Sequence, residues 1–318
     1  MLRVTFLGTA AARPTVGRNV SALAIEREGD LMLFDCGEGT QRQMMRFGSG
    51  FTVNDIFFTH LHADHFLGLT GLLRTMALQG REEPMRLWAP VGGTPILRDA
   101  VGLGMERTPF EVVVSELEPG ACVAREDYDI VAWETRHGPR SLGFAIVEHE
   151  RLGRFHPERA IQLGVPEGPL FGRLHSGESV EVDGRTITAA AVVGPPRPGR
   201  KLVYSGDTRP CRATTTIAKG ADLLIHDATF AQDEVDRART TGHSTAREAA
   251  EVAKRAGALK LVLTHISARY ADDPRILERE ARHVFRPTMV AHDGLVIEVP
   301  LRDGAADDAS EPGTQDRS

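Results

Sequence analysis

Three histidines and one aspartate lie within six consecutive positions, residues 60–65, which read HLHADH. Alternate residues of an extended segment point the same way, so His60 and His62 can present imidazoles to one ion. Asp64 and His65, at the turn that follows, can face a second ion. Burying these four groups together without a metal would leave repulsion and unpaired polar atoms, at a cost of several kcal/mol. The segment therefore predicts a metal centre.

The donor atoms in this segment are nitrogen and oxygen, without thiolate, which suits zinc and also admits manganese or iron. Further candidate ligands each follow a strand-like stretch, and Asp207 could bridge two ions with its two carboxylate oxygens. Individually, these added assignments are little better than chance. The predicted ligands of one ion are His60, His62 and His137, and those of the other are Asp64, His65 and His265, with Asp207 between them.

Short apolar strands and intervening helices must bring these side chains together. The predicted strands are 2–7, 22–25, 31–34, 55–59, 130–133, 141–147, 202–205, 223–226, 261–264 and 295–299. The predicted helices are 40–47, 67–78, 245–256 and 275–284. Thr245 and Glu248 have the spacing of a capping box, and Gly257 supplies the stop of that helix. The alternation predicts an α/β fold with two sheets.

Composition limits the class of protein. The 318 residues are 41% hydrophobic and 26% charged, which excludes a disordered chain, and their net charge is −6. Residues 303–318 carry five acidic residues against one arginine, so their net charge of −4 leaves −2 for residues 1–302. We interpret 303–318 as an acidic disordered tail. The three cysteines are an odd number without metal-ligand spacing, which favours a reducing, cytoplasmic location.

Residues 148–175 differ from their surroundings, because turn residues are closely spaced there between two strand-like segments. We predict that this stretch leaves the body of the domain as an inserted arm. A long surface loop without a particular role is equally consistent with its composition.

Several segments together resemble the ribonuclease Z branch of the metallo-β-lactamase superfamily, whose marker is the run at 60–65. The resemblance extends over residues 1 to about 302, and the other matching segments are 34–43 (FDCGEGTQRQ), 205–210 (SGDTRP), 226–230 (HDATF) and 241–245 (TGHST). It implies an αββα sandwich, with two mixed sheets flanked by helices, and two zinc ions held by the residues assigned above. Manganese is a possible substitute.

The resemblance also implies roles that spacing alone does not. Asp64, His243 and Asp227 are implied as catalytic residues; without the family, Asp227 is a strand-end turn residue and His243 simply precedes a helix. The family commonly has glutamate at position 227, one methylene longer. It often has lysine where this chain has Val16. The residues implied in RNA binding are Arg18 and Asn19, which follow Val16 closely, and Arg151, Arg154 and Arg159 in the arm.

The predicted activity is that of a zinc-dependent endoribonuclease which removes the 3′ trailer from precursor transfer RNA. It leaves a 3′-hydroxyl on the RNA and a 5′-phosphate on the trailer. The family implies a homodimer in which one arm serves the partner's active site. Two alternatives remain: a phosphodiesterase for small diesters with the same metals, and a metal-free RNA-binding scaffold.

Overall fold

The computed structural model describes residues 1–104, 108–138 and 140–302; the predicted tail, 303–318, lies outside these residues. The strands are β1 (Leu2–Gly8), β2 (Ala22–Arg27), β3 (Asp30–Phe34), β4 (Asp55–Phe57), β5 (Met85–Pro90), β6 (Val112–Leu117), β7 (Cys122–Ala124), β8 (Tyr128–Glu134), β9 (Leu142–Glu148), β10 (Val180–Val182), β11 (Arg185–Ile187), β12 (Lys201–Tyr204), β13 (Leu223–Asp227), β14 (Leu261–Thr264), β15 (Thr288–Val290) and β16 (Val296–Glu298). The α-helices are α1 (Thr40–Phe47), α2 (Ala63–Phe66), α3 (Leu69–Leu78), α4 (Thr94–Gly102), α5 (Pro157–Gln162), α6 (Pro169–His175), α7 (Arg212–Ile217), α8 (Val235–Thr241), α9 (Ala246–Ala256) and α10 (Arg275–Val284).

Two mixed sheets form one compact unit, residues 1–147 and 201–300. The strand order is β16-β1-β2-β3-β4-β5-β6 in the first sheet and β15-β14-β13-β12-β9-β8-β7 in the second. Aromatic rings from both sheets pack between them, with Phe57 5.0 Å from Phe34 and 5.4 Å from Phe144 between ring centroids. Such a shared apolar layer is what two facing sheets bury on folding.

Helices cover the outer faces of both sheets. Helices α1, α3 and α4 bury apolar side chains against the first sheet, and α9 and α10 bury theirs against the second. The result is an αββα sandwich, as predicted. None of the described helices is long and apolar enough to cross a membrane.

Most predicted elements are found, with local differences. The capping box of α9 is confirmed, since Thr245 Oγ1 accepts from the Glu248 amide at 3.2 Å and Glu248 Oε2 accepts from the Thr245 amide at 2.9 Å. The helix predicted to start at residue 67 is wrong at its beginning, because α3 starts at Leu69. Gly68 separates it from α2, and a Cβ at Gly68 would lie 2.0 Å from the Gly37 carbonyl oxygen.

Residues 148–200 form a second compact unit, together with the described residues 301 and 302. This unit contains α5, α6 and the hairpin β10–β11, and it has its own buried apolar cluster that includes Ala160, Leu174 and Val192. The predicted arm, 148–175, lies within it, and the unit continues to Arg200. At its two chain ends, Arg200 Nε and Nη2 donate to the Glu148 carboxylate at 2.8 and 2.6 Å.

Candidate active site and metal centre

Most predicted ligands lie beyond the carboxyl end of a strand, and Asp64 and His65 lie in α2, which follows β4. His60 follows β4, His137 follows β8, Asp207 follows β12 and His265 follows β14. β3 and β4 are parallel in the first sheet, and β12, β13 and β14 are parallel in the second. The carboxyl ends of parallel strands meet at one edge of a sheet, so these ligands collect where the two sheets end.

Three imidazoles converge at one side of this edge. His60 Nε2 lies 2.9 Å from His62 Nδ1, which lies 3.2 Å from His137 Nε2. Ligand nitrogens around one tetrahedral Zn²⁺ are about 3.3 Å apart when each is about 2.0 Å from the ion. The three nitrogens are therefore spaced as ligands of a single ion. His137 is oriented by its Nδ1, which donates to the Gly242 carbonyl at 3.0 Å.

A second group contains Asp64, His65 and His265. Asp64 Oδ2 lies 3.3 Å from His265 Nε2 and 3.6 Å from His65 Nε2, and it also accepts from the Ala12 amide at 2.8 Å. The imidazole of His265 is fixed by Thr229 Oγ1, which is 2.9 Å from its Nδ1. Again one carboxylate and two imidazoles could hold one ion.

Asp207 lies between the two groups. Its Oδ2 is 3.3 Å from the Nε2 atoms of both His65 and His265, and 3.7 Å from that of His60. Burial opposes ionisation, but the imidazoles of His265 and His65 hold the pKa of Asp207 well below its usual range. A carboxylate in this position can reach both candidate metal sites.

Buried polar atoms without partners test whether metal ions fit this site. His65 Nε2 and Asp207 Oδ1 are fully enclosed, and neither has a hydrogen-bond partner among the described residues. Leaving such atoms unpaired is costly unless a ligand satisfies them. Both belong to the predicted ligand set, which offers nitrogen and oxygen donors. The residues present therefore fit divalent cations.

Asp35 holds His65 in place, a role that the sequence analysis did not assign. Its buried carboxylate accepts from His65 Nδ1 and from Tyr204 Oη, both at 2.9 Å, and from the Thr59 amide at 2.8 Å. Binding Nδ1 fixes the ring so that Nε2 is left for the metal. Asp35 directly follows β3, so its strand-end position was the available signal. Its φ of 61° is a left-handed conformation that costs about 1–3 kcal/mol.

Asp227 and His243 are in direct contact. His243 Nδ1 lies 2.9 Å from Asp227 Oδ2, whose carboxylate also accepts from the Thr208 and Thr229 amides. Aspartate is thus long enough to reach His243 here. Burial disfavours the imidazolium, but Asp227 outweighs it and raises the pKa of His243 to about 9. The adjoining helix end has a partial positive charge, and the carboxylate offsets it.

The predicted RNA-binding residues fall into two groups. Arg18 and Asn19 are half-buried and bind neighbouring chain: Arg18 Nη1 donates to the Ala291 carbonyl at 2.7 Å, and Asn19 Nδ2 to that of Glu38 at 2.8 Å. In the second unit, Arg154 and Arg159 are exposed, whereas Arg151 is half-buried. Contact of any of the five with RNA stays a prediction.

Comparison with known proteins points to one family. The profile of the beta-lactamase superfamily domain matches residues 171–266, and that of the anti-Pycsar protein Apyc1 matches residues 2–150. Ribonuclease Z of Gemmatimonas aurantiaca is 58% identical over 312 residues, which cover 97% of this chain and 99% of that protein. Ribonuclease Z of Myxococcus xanthus is 54% identical over 305 residues, covering 95% and 99%.

A solved structure agrees with these relatives. The crystal structure of human tRNase Z, short form, aligns with a TM-score of 0.68 and 31% identity, covering 94% of this chain and 100% of that one. The long-form RNase Z from yeast shares the fold, with a TM-score of 0.62 at 18% identity, and the alignment covers 94% of this chain but 42% of that one. The chain therefore belongs to the ribonuclease Z family of the metallo-β-lactamase superfamily.

Proposed function

We propose that this protein is a zinc-dependent endoribonuclease that removes the 3′ trailer from precursor transfer RNA. The observation that carries the proposal is the Asp207 carboxylate between two sets of imidazole and carboxylate ligands, next to the His243–Asp227 pair. His60, His62 and His137 would hold one ion, Asp64, His65 and His265 would hold the other, and Asp207 could contribute to both. When bound, two such cations make water a better nucleophile and neutralise charge on phosphate oxygens.

Asp64 acts on the attacking water, and His243 acts on the leaving oxygen. Water attacks the scissile phosphorus, and Asp64 orients this nucleophile and accepts its proton. The bond from phosphorus to the 3′ oxygen of the mature RNA breaks, and the electron pair leaves with that oxygen. His243 gives it a proton from Nε2, because Nδ1 is engaged with Asp227. The RNA keeps a 3′-hydroxyl, and the phosphate stays on the 5′ end of the trailer.

Substrate binding extends beyond this centre. We assign residues 1–302 to a catalytic domain whose inserted arm, 148–175 in its predicted extent, contacts the transfer RNA body through Arg151, Arg154 and Arg159. Arg18 and Asn19 contribute near the RNA 3′ end. The protein works in the cytoplasm as a homodimer, an assignment that rests on the family.

The decisive experiment compares two substrates for the metal-loaded protein. We expect precursor transfer RNA to be cut once near the end of the mature sequence, with the termini named above, and bis-p-nitrophenyl phosphate to be hydrolysed far less efficiently. Efficient hydrolysis of the small diester with no cleavage of RNA would instead support the alternative, a general phosphodiesterase. Binding of RNA without hydrolysis of either substrate would support the scaffold.

A further inference from the structure

Two clefts share the His137–Gly138 segment as part of their walls, and they differ in chemistry. The first, of 270 Å³, is lined by the ligands His60 and His62 and by the apolar side chains of Leu61, Val91 and Ile96. The second, of 730 Å³, is lined by arginines and by residues 240–242. His137 is part of both walls, so both clefts open next to the metal centre.

The position of His243 indicates which part of the substrate each cleft receives. Two residues of the second cleft adjoin it: Gly242 is its neighbour in the chain, and Arg209 Nη1 donates to the His243 carbonyl at 2.6 Å. In the proposed function, on which this inference rests, His243 protonates the 3′ oxygen of the mature RNA. The mature RNA must then lie on the side of the second cleft, and the trailer on the side of the first.

We propose that the first cleft binds the base of the first trailer nucleotide, while the second binds backbone phosphates of the mature RNA 3′ end. The RNA strand would then run from the second cleft, across the metal centre, into the first cleft. We name the first cleft the base cleft and the second the phosphate cleft.

The base cleft suits a single nucleobase. Its volume of 270 Å³ is close to the lower end for ligand pockets, about 300 Å³, which is the scale of one small ring system. Val91 and Ile96 are 39% and 44% exposed, so apolar surface is available at its wall. The Arg140 guanidinium lies against the backbone of Gly92. It is so close that a Cβ at Gly92 would lie 2.1 Å from Arg140 Nη1. Guanidinium planes are a common surface on which unpaired bases stack.

The phosphate cleft has more basic than acidic side chains in its lining. Arg136, Arg209 and Arg239 line it together with Glu134, and Arg239 pairs with Asp236 at 3.1 Å. Arg209 is committed to the protein, since its Nη1 donates to Glu248 and to the His243 carbonyl. Arg136 is exposed, and its guanidinium has no ion-pair partner among the described residues. Its charge is available for phosphate, which dominates the affinity of proteins for nucleic acids.

The first test removes the base from the substrate and, separately, an apolar side chain from the base cleft. A precursor with an abasic first trailer nucleotide should be cleaved with a kcat/KM roughly tenfold lower, within the usual range for one base contact. Ile96→Ser should lower kcat/KM for the intact precursor severalfold and scarcely change it for the abasic one. The control is Leu103→Ser, an exposed position just beyond the same helix and outside the cleft. Equal losses by Ile96→Ser on both precursors would overturn the base assignment.

The second test addresses the phosphate cleft. Arg136→Gln should weaken binding of both precursors by the same factor and reduce the slope of log affinity against log salt by about one. Arg98→Gln, at an exposed arginine of α4 outside both clefts, is the matched control. An unchanged salt slope in Arg136→Gln would overturn the phosphate assignment.

A readout independent of cleavage completes the design. The fluorescence of 2-aminopurine at the first trailer position, measured with His243→Ala protein, should change on binding and change less when Ile96→Ser is added. If the unmodified protein does not cleave the intact precursor, the proposed function fails and this inference with it. If it cleaves normally, the comparison of variants alone decides the inference.

Discussion

Asp207 occupies the centre of the site at the scale of single residues. Its Oδ2 has five histidine nitrogens within 4.0 Å, from His60, His65, His137, His243 and His265. So many imidazoles around one carboxylate favour its ionised form and concentrate donor atoms in a small volume. Metal binding should therefore depend on each ligand of the set.

We expect His62→Ala to lower the bound metal and to abolish cleavage, while binding of precursor transfer RNA persists. The reason is that His62 Nδ1 lies between the nitrogens of His60 and His137, whereas the arginines proposed to bind phosphate are not metal ligands. Elemental analysis and a binding assay measure the two effects. His283→Ala, at an exposed position on α10, is the control. Full metal content with a normal rate would remove His62 from the ligand set.

The role of His243 can be separated from metal binding. His243→Ala should slow RNA cleavage by roughly a hundredfold or more, the usual effect of losing a general acid, with unchanged metal content. Hydrolysis of bis-p-nitrophenyl phosphate should change much less, because p-nitrophenolate leaves without a proton. Initial rates on both substrates measure this difference. Equal losses on the two substrates would contradict a role in proton transfer.

At the scale of elements, a buried ion cluster ties the two sheets together at Asp55, the first residue of β4. Asp55 accepts from Arg86 Nε at 2.7 Å and from Trp88 Nε1 at 2.7 Å, both on β5. Arg125, which follows β7 of the other sheet, donates to it at 2.9 Å. Burial opposes ionisation of Asp55, but these arginine and tryptophan donors lower the pKa of its carboxyl below the ordinary value of 3.8.

Asp55→Asn should destabilise the protein by about 2–3 kcal/mol at pH 7, because it removes the buried carboxylate that pairs with the partly exposed guanidinium groups of Arg86 and Arg125. A folded-state pKa below the unfolded value means that the unfolded chain binds more protons, so this stabilisation is present above pH 4 and is lost as the pH falls below it. Denaturant unfolding at pH 7 and at acidic pH measures both stabilities. A difference between the proteins that persists undiminished at low pH would contradict the assignment.

The sequence predicts those elements best whose signals are local. Helix α1 matches its predicted bounds, and the capping box of α9 is present, because both depend on neighbouring residues. β5 and β6 were missed. β6 carries five half-buried or exposed residues at the edge of its sheet, so its apolar pattern is weak. The contact between Asp227 and His243 joins residues 16 positions apart with helix α8 between them, and only family resemblance pointed to it.

For the metal ligands too, only local signals in the sequence could be interpreted. Residues 60–65 predicted a metal centre by themselves, whereas His137, Asp207 and His265 come from distant strands whose pairing no local signal encodes. Asp35 received no predicted role for the same reason. Its partners, His65 and Tyr204, lie 30 and 169 positions away along the chain.

At the scale of the whole molecule, residues 148–200 form a unit with their own apolar cluster. This cluster changes how the predicted arm should be removed. Deleting residues 151–171 alone would take away Ala160 and Val165 and leave Leu174 and Val180 exposed. Replacement of residues 149–199 by a short Gly-Ser linker removes the cluster as a whole and keeps Glu148 and Arg200.

We expect this replacement to preserve metal content and hydrolysis of bis-p-nitrophenyl phosphate, because every predicted ligand lies in the other unit. Affinity for precursor transfer RNA should fall, with a shallower salt dependence, since fewer phosphates are contacted. Filter binding over a range of salt concentrations measures both. Arg154→Gln with Arg159→Gln tests the charges alone in the intact chain. Unchanged cleavage and affinity after the replacement would exclude a role for the insertion in RNA binding.

The place of the insertion in the chain has an evolutionary consequence. β9 and β12 are antiparallel neighbours, and Val147 pairs with Lys201, so the whole insertion stands where a hairpin turn of a few residues would suffice. A lineage could gain, lose or exchange this module in a single genetic event without altering the register of either strand. If the insertion binds RNA as proposed, substrate range could change through this module while the ligand geometry stays the same.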